Sequence, residues 1–235
     1  MVSSTAYLDT ILFAVLPYVA FFTFFLVTIQ RYRQRTFSYS SLSSQFLENQ
    51  KHFWGMVPFH FGILFVLAGH IVAFMFPREL LLFNSVPIRV YILEVTALVF
   101  GLLTIVGLVA SLSRRLGESK IKRVTAPSDW VVYALLLIQV ISGLGVAIWH
   151  PWGSSWFAAT VTPYLWSLLG MNPDIAAMAA MPAMVKIHVV NAYVLIGFFP
   201  FTRLVHVLVA PNPYLWRKPQ VVRWYRDPQG TASGS

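Results

Sequence analysis

Residues 53–76 read F-W-G-M-V-P-F-H-F-G-I-L-F-V-L-A-G-H-I-V-A-F-M-F, an apolar run with two histidines and no Asp, Glu, Lys or Arg. An α-helix needs about 20 predominantly apolar residues to cross the hydrocarbon core of a bilayer, so this run predicts a transmembrane helix. We therefore expect an all-α, polytopic membrane protein, a bundle of five transmembrane helices. The other four apolar stretches lie at roughly 10–30, 90–112, 130–149 and 187–210.

The composition supports a membrane protein and limits its chemistry. The chain has 235 residues, of which 57% are hydrophobic and only 11% are charged, whereas soluble domains are about one quarter charged. It contains no cysteine. This excludes disulfides, iron–sulfur clusters, thiolate metal sites and covalently attached c-type haem. A redox cofactor must therefore be held by histidine or another ligand without a thiol.

The positive charges predict the orientation in the membrane. The net charge is +9, and thirteen of the 17 Lys and Arg residues lie in three segments, at 31–52, at 113–128 and after residue 210. Positively charged loops stay in the cytoplasm, so we predict an outer N-terminus and a cytoplasmic C-terminus. The basic residues then line one membrane face. We interpret them as signals of topology, contacts to anionic lipid and docking charges, and not as a nucleic-acid site.

Four of the six histidines lie inside predicted spans, where ionisable groups are rare and usually functional. Spans two and five run in opposite directions, so His70 matches His188 in depth near the outer face, and His60 matches His206 near the inner face. Facing helices of a bundle often hold a cofactor in this way. Two b-type haems with two histidine ligands each, suited to electron transfer, would fit the pattern.

The two histidine spacings along their helices differ in length. His60 and His70 are about 15 Å apart along an ideal helix, whereas His188 and His206 are about 27 Å apart. Helix tilt must absorb part of the difference, and Pro200 offers a kink within span five.

Other interpretations of these residues remain open. Each histidine could satisfy an acceptor inside the bundle, or the group could hold a metal ion, although Glu94 is the only carboxylate in a predicted span. Arg203 could pair with a haem propionate or extend to the inner face. Gly62 and Gly69 could admit a flat macrocycle or allow close helix packing.

The chain resembles the gamma (cytochrome b) subunit of membrane-bound respiratory nitrate reductase over about residues 16–225. The two histidine spacings, ten and 18 residues, match those of that family. The motifs that carry the resemblance are L-P-Y-V-A at 16–20, R-Y-R at 31–33, S-S-Q-F-L at 43–47, residues 60–70, K-I-H at 186–188, F-P-F-T-R-L-V-H at 199–206 and P-x-x-Y-L-x-R-K at 211–218.

The resemblance implies a function and a set of partners. His70 and His188 would ligate a distal haem near the outside, and His60 and His206 a proximal haem near the cytoplasm. Membrane quinol, either menaquinol or ubiquinol, would be oxidised beside the distal haem. Electrons would pass to an iron–sulfur (beta) subunit and then to a molybdenum (alpha) subunit that reduces nitrate. The location would be the cytoplasmic (inner) membrane of a prokaryote.

The quinol site departs from the family pattern. The family often has a lysine near the start of span three, where this chain has Arg89, Val90 and Tyr91. Arg89, Glu94 and Gly69 are our quinol-site candidates, although arginine and lysine differ in hydrogen bonding. Arg89 could instead be a boundary residue that reaches the interface, and Glu94 could be a carboxylate at a helix N-terminus.

The predicted organisation is a dihaem membrane domain, 1–226, which includes a cytoplasmic docking tail at 211–226, followed by a disordered tail at 227–235. A first alternative function is a similar cytochrome b subunit of another reductase complex, either a heterodisulfide-type or a different molybdenum enzyme. A second alternative is a membrane anchor or transporter without redox activity.

Overall fold

The computed structural model describes residues 4–34 and 52–209, and within these ranges every regular element is helical. Within the described ranges, five helices are long and apolar enough to cross a membrane, which confirms the predicted all-α architecture. The tails predicted at 211–226 and 227–235 lie outside the described residues. The long helices, which we call spans one to five, are Leu16–Gln34, His52–Met75, Pro87–Gly117, Pro127–Trp149 and Ala183–Phe198.

Shorter helices extend or connect the spans. Span one is preceded without a break by Ser4–Thr10 and a π-helical turn, Ile11–Val15. Spans three and four each begin with a proline, a residue whose fixed φ and missing N–H suit the first turn of a helix. The connecting helices are Pro77–Phe83, Ser119–Arg123, Gly153–Trp156, the π-helical Phe157–Val161, Thr162–Leu169 and Ala176–Ala179.

The outside of the bundle is apolar. Phe61, Leu64 and Leu67 of span two are each more than half exposed. A water-soluble protein rarely leaves so many large apolar side chains uncovered in one continuous surface. This surface suits lipid, and the chain is a multi-pass membrane protein.

The spans pack as a series in which span three contacts spans two and four, and span five contacts spans four and one. Glycines bring spans two and three together. A Cβ atom on Gly62 would lie 2.6 Å from the carbonyl oxygen of Phe100, and one on Gly107 would lie 2.8 Å from the carbonyl oxygen of Gly55. Such distances leave no room for a side chain. Close helix packing therefore accounts for Gly62.

Span five is interrupted near its end. The α-helix stops at Phe198, and the chain continues as 3₁₀ turns at Phe199–Phe201 and Arg203–Val205. A proline removes one backbone donor and clashes with the preceding turn, so Pro200 explains the break. The sequence predicted one helix over 187–210. The Arg31 guanidinium of span one donates hydrogen bonds to the carbonyl oxygens of Pro200 and Thr202.

The segment between spans four and five folds back over the bundle end that is opposite the basic loops. Tyr164 of this segment is buried, and its hydroxyl donates to the carbonyl oxygen of Phe13 in the π-helical turn at 2.8 Å. The hydroxyl of Tyr193 in span five donates to that of Tyr164 at 3.0 Å. Burial raises the pKa of Tyr164 to about 12. The Tyr164 hydroxyl therefore keeps its proton at neutral pH and can donate to Phe13.

Candidate cofactor site within the bundle

The ring of His70 on span two, which is exposed, lies close to the ring of half-buried His188 on span five. Their ring centres are 6.4 Å apart, and the ring planes are inclined by 33°. An imidazole nitrogen binds a transition metal at about 2.0–2.1 Å and lies about 1.1 Å from its ring centre, so two imidazoles on opposite sides of one metal have centres about 6.3 Å apart. The observed separation of the ring centres is close to that of two such rings, but Nε2 of His188 lies 3.1 Å from the Gln139 amide nitrogen, so this contact must be released before the two residues could hold an iron.

The hydrogen bonds of the span-two histidines indicate which ring nitrogen carries the proton. Nδ1 of His60 lies 2.7 Å from the carbonyl oxygen of Met56, and Nδ1 of His70 lies 2.8 Å from that of Val66. A carbonyl oxygen can only accept, so Nδ1 carries the proton in each ring. Nε2 is then unprotonated, the form in which histidine ligates a metal, and its partner fixes the ring orientation.

His188 is held by a polar cluster between spans four and five that the sequence reasoning missed. Its Nδ1 lies 3.1 Å from both the backbone oxygen of Gln139 and Oγ of Ser142. The Gln139 amide nitrogen lies 3.1 Å from Nε2 of His188, and Asn191 donates to the Gln139 side-chain oxygen at 2.7 Å. An iron and this amide are alternative partners of Nε2. The sequence could have indicated this cluster, because Gln139, Ser142 and Asn191 are polar residues within apolar spans.

Small residues leave space around the two rings. A Cβ on Gly69 would meet no atom within 4 Å, whereas one on Gly143 of span four would lie 2.8 Å from Cε1 of His188. Phe157 presents its ring edge-on to His70, with centres 5.4 Å apart. Gly69 thus borders open space next to a candidate ligand, and Gly143 is needed by the His188 ring itself.

The second predicted pair is described in part. His60 lies ten residues before His70 on span two, and His206 begins the short helix His206–Val209 beyond the break. The structure does not describe the side chain of His206, so the pairing of His60 with His206 stays a prediction. Among residues 4–34 and 52–209, no group of three or more His, Cys, Asp or Glu is arranged to hold a metal ion.

Arg203, the candidate for a haem propionate, contacts protein groups at the basic end of the bundle. Its Nε lies 3.4 Å from a carboxylate oxygen of Asp129, and one terminal nitrogen donates to the carbonyl oxygen of Val124 at 2.9 Å. Arg115 pairs with the other oxygen of Asp129 at 3.1 Å. This ionic cluster joins spans three and four to the broken end of span five.

The quinol candidates lie at the opposite end. Glu94 accepts hydrogen bonds from the backbone nitrogens of Trp152 and Ser154, at 3.0 and 3.1 Å, and from the Ser154 hydroxyl at 3.0 Å. Trp152 has a positive φ of 65°, a strained conformation for a residue with a side chain. Glu94 therefore fixes this turn. Arg89 is exposed, with its guanidinium carbon 5.5 Å from the ring centre of Phe83.

Comparison with protein families identifies the family to which this chain belongs. The model of the nitrate reductase gamma subunit matches residues 9–225. The chain belongs to this family. It is a membrane electron-transfer subunit of a nitrate reductase complex in the inner membrane of a prokaryote, and it associates with other subunits of that complex. Members of the family are of the cytochrome b type, which implies haem.

Individual relatives agree with the family assignment. The nitrate reductase gamma chain of Bacillus subtilis is 32% identical over 218 residues, which cover 91% of this chain and 97% of that protein. The respiratory nitrate reductase 2 gamma chain of Escherichia coli is 30% identical over 92% of this chain and 97% of its own length. A heterodisulfide reductase subunit from Methanosarcina barkeri is 25% identical over 70% of this chain and 59% of that protein.

Proposed function

We propose that this gamma-family subunit is a dihaem cytochrome b that oxidises membrane quinol near the outer face and sends electrons to the cytoplasmic face. An iron–sulfur (beta) subunit and a molybdenum (alpha) subunit that reduces nitrate receive them there. The observation that carries this proposal is the 6.4 Å separation of the His70 and His188 rings from two different spans. Haem held by these two histidines would supply one-electron redox chemistry.

Particular residues of the chain hold the haems and set the orientation in the membrane. His70 and His188 hold the outer haem, and His60 and His206 hold the inner one. Each of the three candidate ligands whose side chain is described lies with Nδ1 against an oxygen acceptor, so Nε2 is the nitrogen that would ligate. The orientation rests on the basic residues, which favour the cytoplasm at the end that carries Arg115.

The quinol site is proposed beside the outer haem. Quinol oxidation releases two electrons and two protons, so the site needs access from the bilayer and groups that bind the quinol oxygens or accept protons. Gly69 borders open space next to His70, and exposed Arg89 can donate hydrogen bonds to a quinol oxygen. Glu94 holds the turn at Trp152 and offers the nearby carboxylate for the outward release of protons.

The haem content tests the central proposal. The purified complex should contain two b-type haems per copy of this chain in a pyridine haemochrome assay. Its reduced-minus-oxidised spectrum should show b-type bands, since the absence of cysteine prevents covalent attachment. A complex with no haem, or with a single haem per chain, would contradict the dihaem assignment.

The quinol site has a separate test. Arg89→Ala should slow the reduction of haem by a quinol analogue several-fold, whereas an artificial donor to the soluble subunits should still support nitrate reduction at the normal rate. Arg78→Ala is the control, because Arg78 is a second exposed arginine at the same end of the bundle, on the connecting helix Pro77–Phe83. Equal quinol oxidation rates in Arg89→Ala, Glu94→Gln and the unaltered protein would place the site elsewhere.

A second candidate is a similar quinol-linked subunit of a different reductase complex. The similarity to the heterodisulfide reductase subunit from Methanosarcina barkeri favours it, although that match covers less of both chains than the nitrate reductase gamma chains do. Affinity purification of the tagged chain distinguishes the two candidates. Copurified nitrate-reducing activity supports our first proposal, and copurified disulfide-reducing activity supports the second.

A further inference from the structure

The hydrogen-bond partners of Nδ1 in His188 lie on a neighbouring helix, unlike those of His60 and His70. His60 and His70 hold Nδ1 against a carbonyl oxygen of their own helix, four residues earlier. His188 directs Nδ1 across to span four, a helix that supplies none of the predicted ligands. The orientation of this imidazole therefore depends on a neighbouring helix.

Ser142 of span four fixes the proton of that ring. The serine is buried, and its hydroxyl lies 2.6 Å from the carbonyl oxygen of Ile138, to which it donates its only hydrogen. Its oxygen is 3.1 Å from Nδ1 of His188 and accepts there when Nδ1 carries the proton. The backbone oxygen of Gln139, also at 3.1 Å, is a second acceptor for the same N–H. Nε2, which lies 3.1 Å from the Gln139 amide nitrogen, is then the nitrogen that would ligate once that contact is released.

Gly143 provides the space that the ring occupies. A Cβ at this position would lie 2.8 Å from Cε1 and 3.3 Å from Nδ1 of His188. The first distance is shorter than van der Waals contact permits, so any side chain here displaces the imidazole. We call Ser142 and Gly143 together the His188 socket.

We propose that the His188 socket consists of positioning residues through which span four orients His188 and sets the redox potential of the haem that His188 holds. The inference rests on the proposed haem ligation by His188. An oxygen that accepts from Nδ1–H increases the basicity of the imidazole as a ligand. A more basic ligand stabilises ferric over ferrous iron, so the socket lowers the potential of this haem relative to one without the hydrogen bond.

The test is a redox titration of the complete complex in membranes, followed by the haem absorption bands and by electron paramagnetic resonance of the oxidised haems. Ser142→Ala removes one of the two acceptors of Nδ1–H and should shift the midpoint potential of one haem to a higher value while the other stays unchanged. Gly143→Ala should change the resonance signal of that same haem, because the His188 ring must move.

A matched glycine on the same helix separates this effect from general packing. A Cβ on Gly145 would lie 2.9 Å from the Trp149 ring and 3.2 Å from the end of the Met184 side chain, and none of its three nearest atoms belongs to a histidine. Gly145→Ala should therefore leave both haem signals unchanged. If Gly143→Ala fails to retain haem, Ser142→Ala still decides the question, because it only removes one oxygen atom.

Two outcomes would overturn the inference while the haem assignment stands. In the first, the unaltered protein holds two haems and Ser142→Ala has unchanged potentials. In the second, Gly145→Ala alters the resonance signal as much as Gly143→Ala does. A lack of haem in the unaltered protein would instead refute the proposed function on which the inference rests.

Discussion

At the scale of single residues, the site is defined by which ring nitrogen carries a proton. Each described candidate ligand meets an oxygen acceptor at Nδ1, although the acceptors come from different helices. Within a bilayer an imidazole without such a partner is costly, so these hydrogen bonds also stabilise the histidines before any cofactor is considered. Structure and ligand chemistry thus favour the same tautomer.

The pairing of the ligands leads to a direct prediction. His70→Ala and His188→Ala should each remove the same haem, because their ring centres lie 6.4 Å apart. His60→Ala and His206→Ala should both affect the other haem. Redox titration of the four variants, with haem content measured in parallel, checks this. Loss of one common haem in the His60 and His188 variants would show that the pairing is wrong.

The sequence predicted the histidines but not the residues that hold them. A histidine within an apolar span is conspicuous, and helix direction gives its depth. Ser142 and Gly143 are unremarkable in the sequence, because small residues usually indicate helix packing. Their role depends on how spans four and five are rotated against each other. Rotation is a tertiary property that neither spacing nor depth specifies.

At the scale of helices, the contact between spans two and three supports the geometry of the span-two histidines. Gly62 lies between His60 and His70, and Gly107 faces span two from span three. A displacement of span two relative to the rest of the bundle would move both candidate ligands together. Glycine packing is thus an indirect requirement of the site.

A substitution at Gly107 tests this contact. A Cβ there would lie 2.8 Å from Cα of Phe59 and from the Gly55 oxygen, both rigid backbone atoms, so Gly107→Val should force the spans apart. Overpacking of this kind typically costs about 1–3 kcal/mol. The thermal midpoint in detergent should fall. Gly117→Val is the control, since a Cβ at that glycine meets nothing within 4 Å; equal midpoints would contradict the packing argument.

The position of the break in span five could be predicted from the sequence, but its hydrogen-bond partners could not. Pro200 was expected to kink the helix, because proline cannot complete the backbone hydrogen bonds of a helix interior. From the sequence, Arg31 is one of the basic residues in the first positively charged segment that predict the orientation in the membrane. In the structure Arg31 also supplies donors to the carbonyl oxygens near the break. Partners 169 residues apart in sequence come together only through the packing of span five on span one.

At the scale of the whole molecule, the basic end contains two kinds of charge. Arg115 and Arg203 are used internally, since both pair with the buried carboxylate of Asp129. Lys120 and Lys122, on the short helix after span three, are exposed. Only charges of the second kind are available to a protein partner. Composition alone could not separate the two, because the difference lies in tertiary contacts.

The exposed lysines lead to a prediction about the association with the other nitrate reductase subunits. Surface charges at an interface mainly affect association and its salt dependence. Lys120→Glu/Lys122→Glu should therefore lower the salt concentration at which half of the nitrate reductase activity washes off the membrane. The matched control is Arg78→Glu, which also reverses an exposed cation but lies at the opposite end of the bundle.

Membrane insertion should survive the double substitution, because eleven of the thirteen basic residues that predict the orientation are retained. Haem content in the washed membranes checks this directly, since a misinserted chain would not retain it. If the charges only signal topology or bind anionic lipid, the double variant and Arg78→Glu will release activity at the same salt concentration, and the docking role of this helix will be refuted. A selective release from the double variant would identify the basic end as the face that binds the soluble subunits.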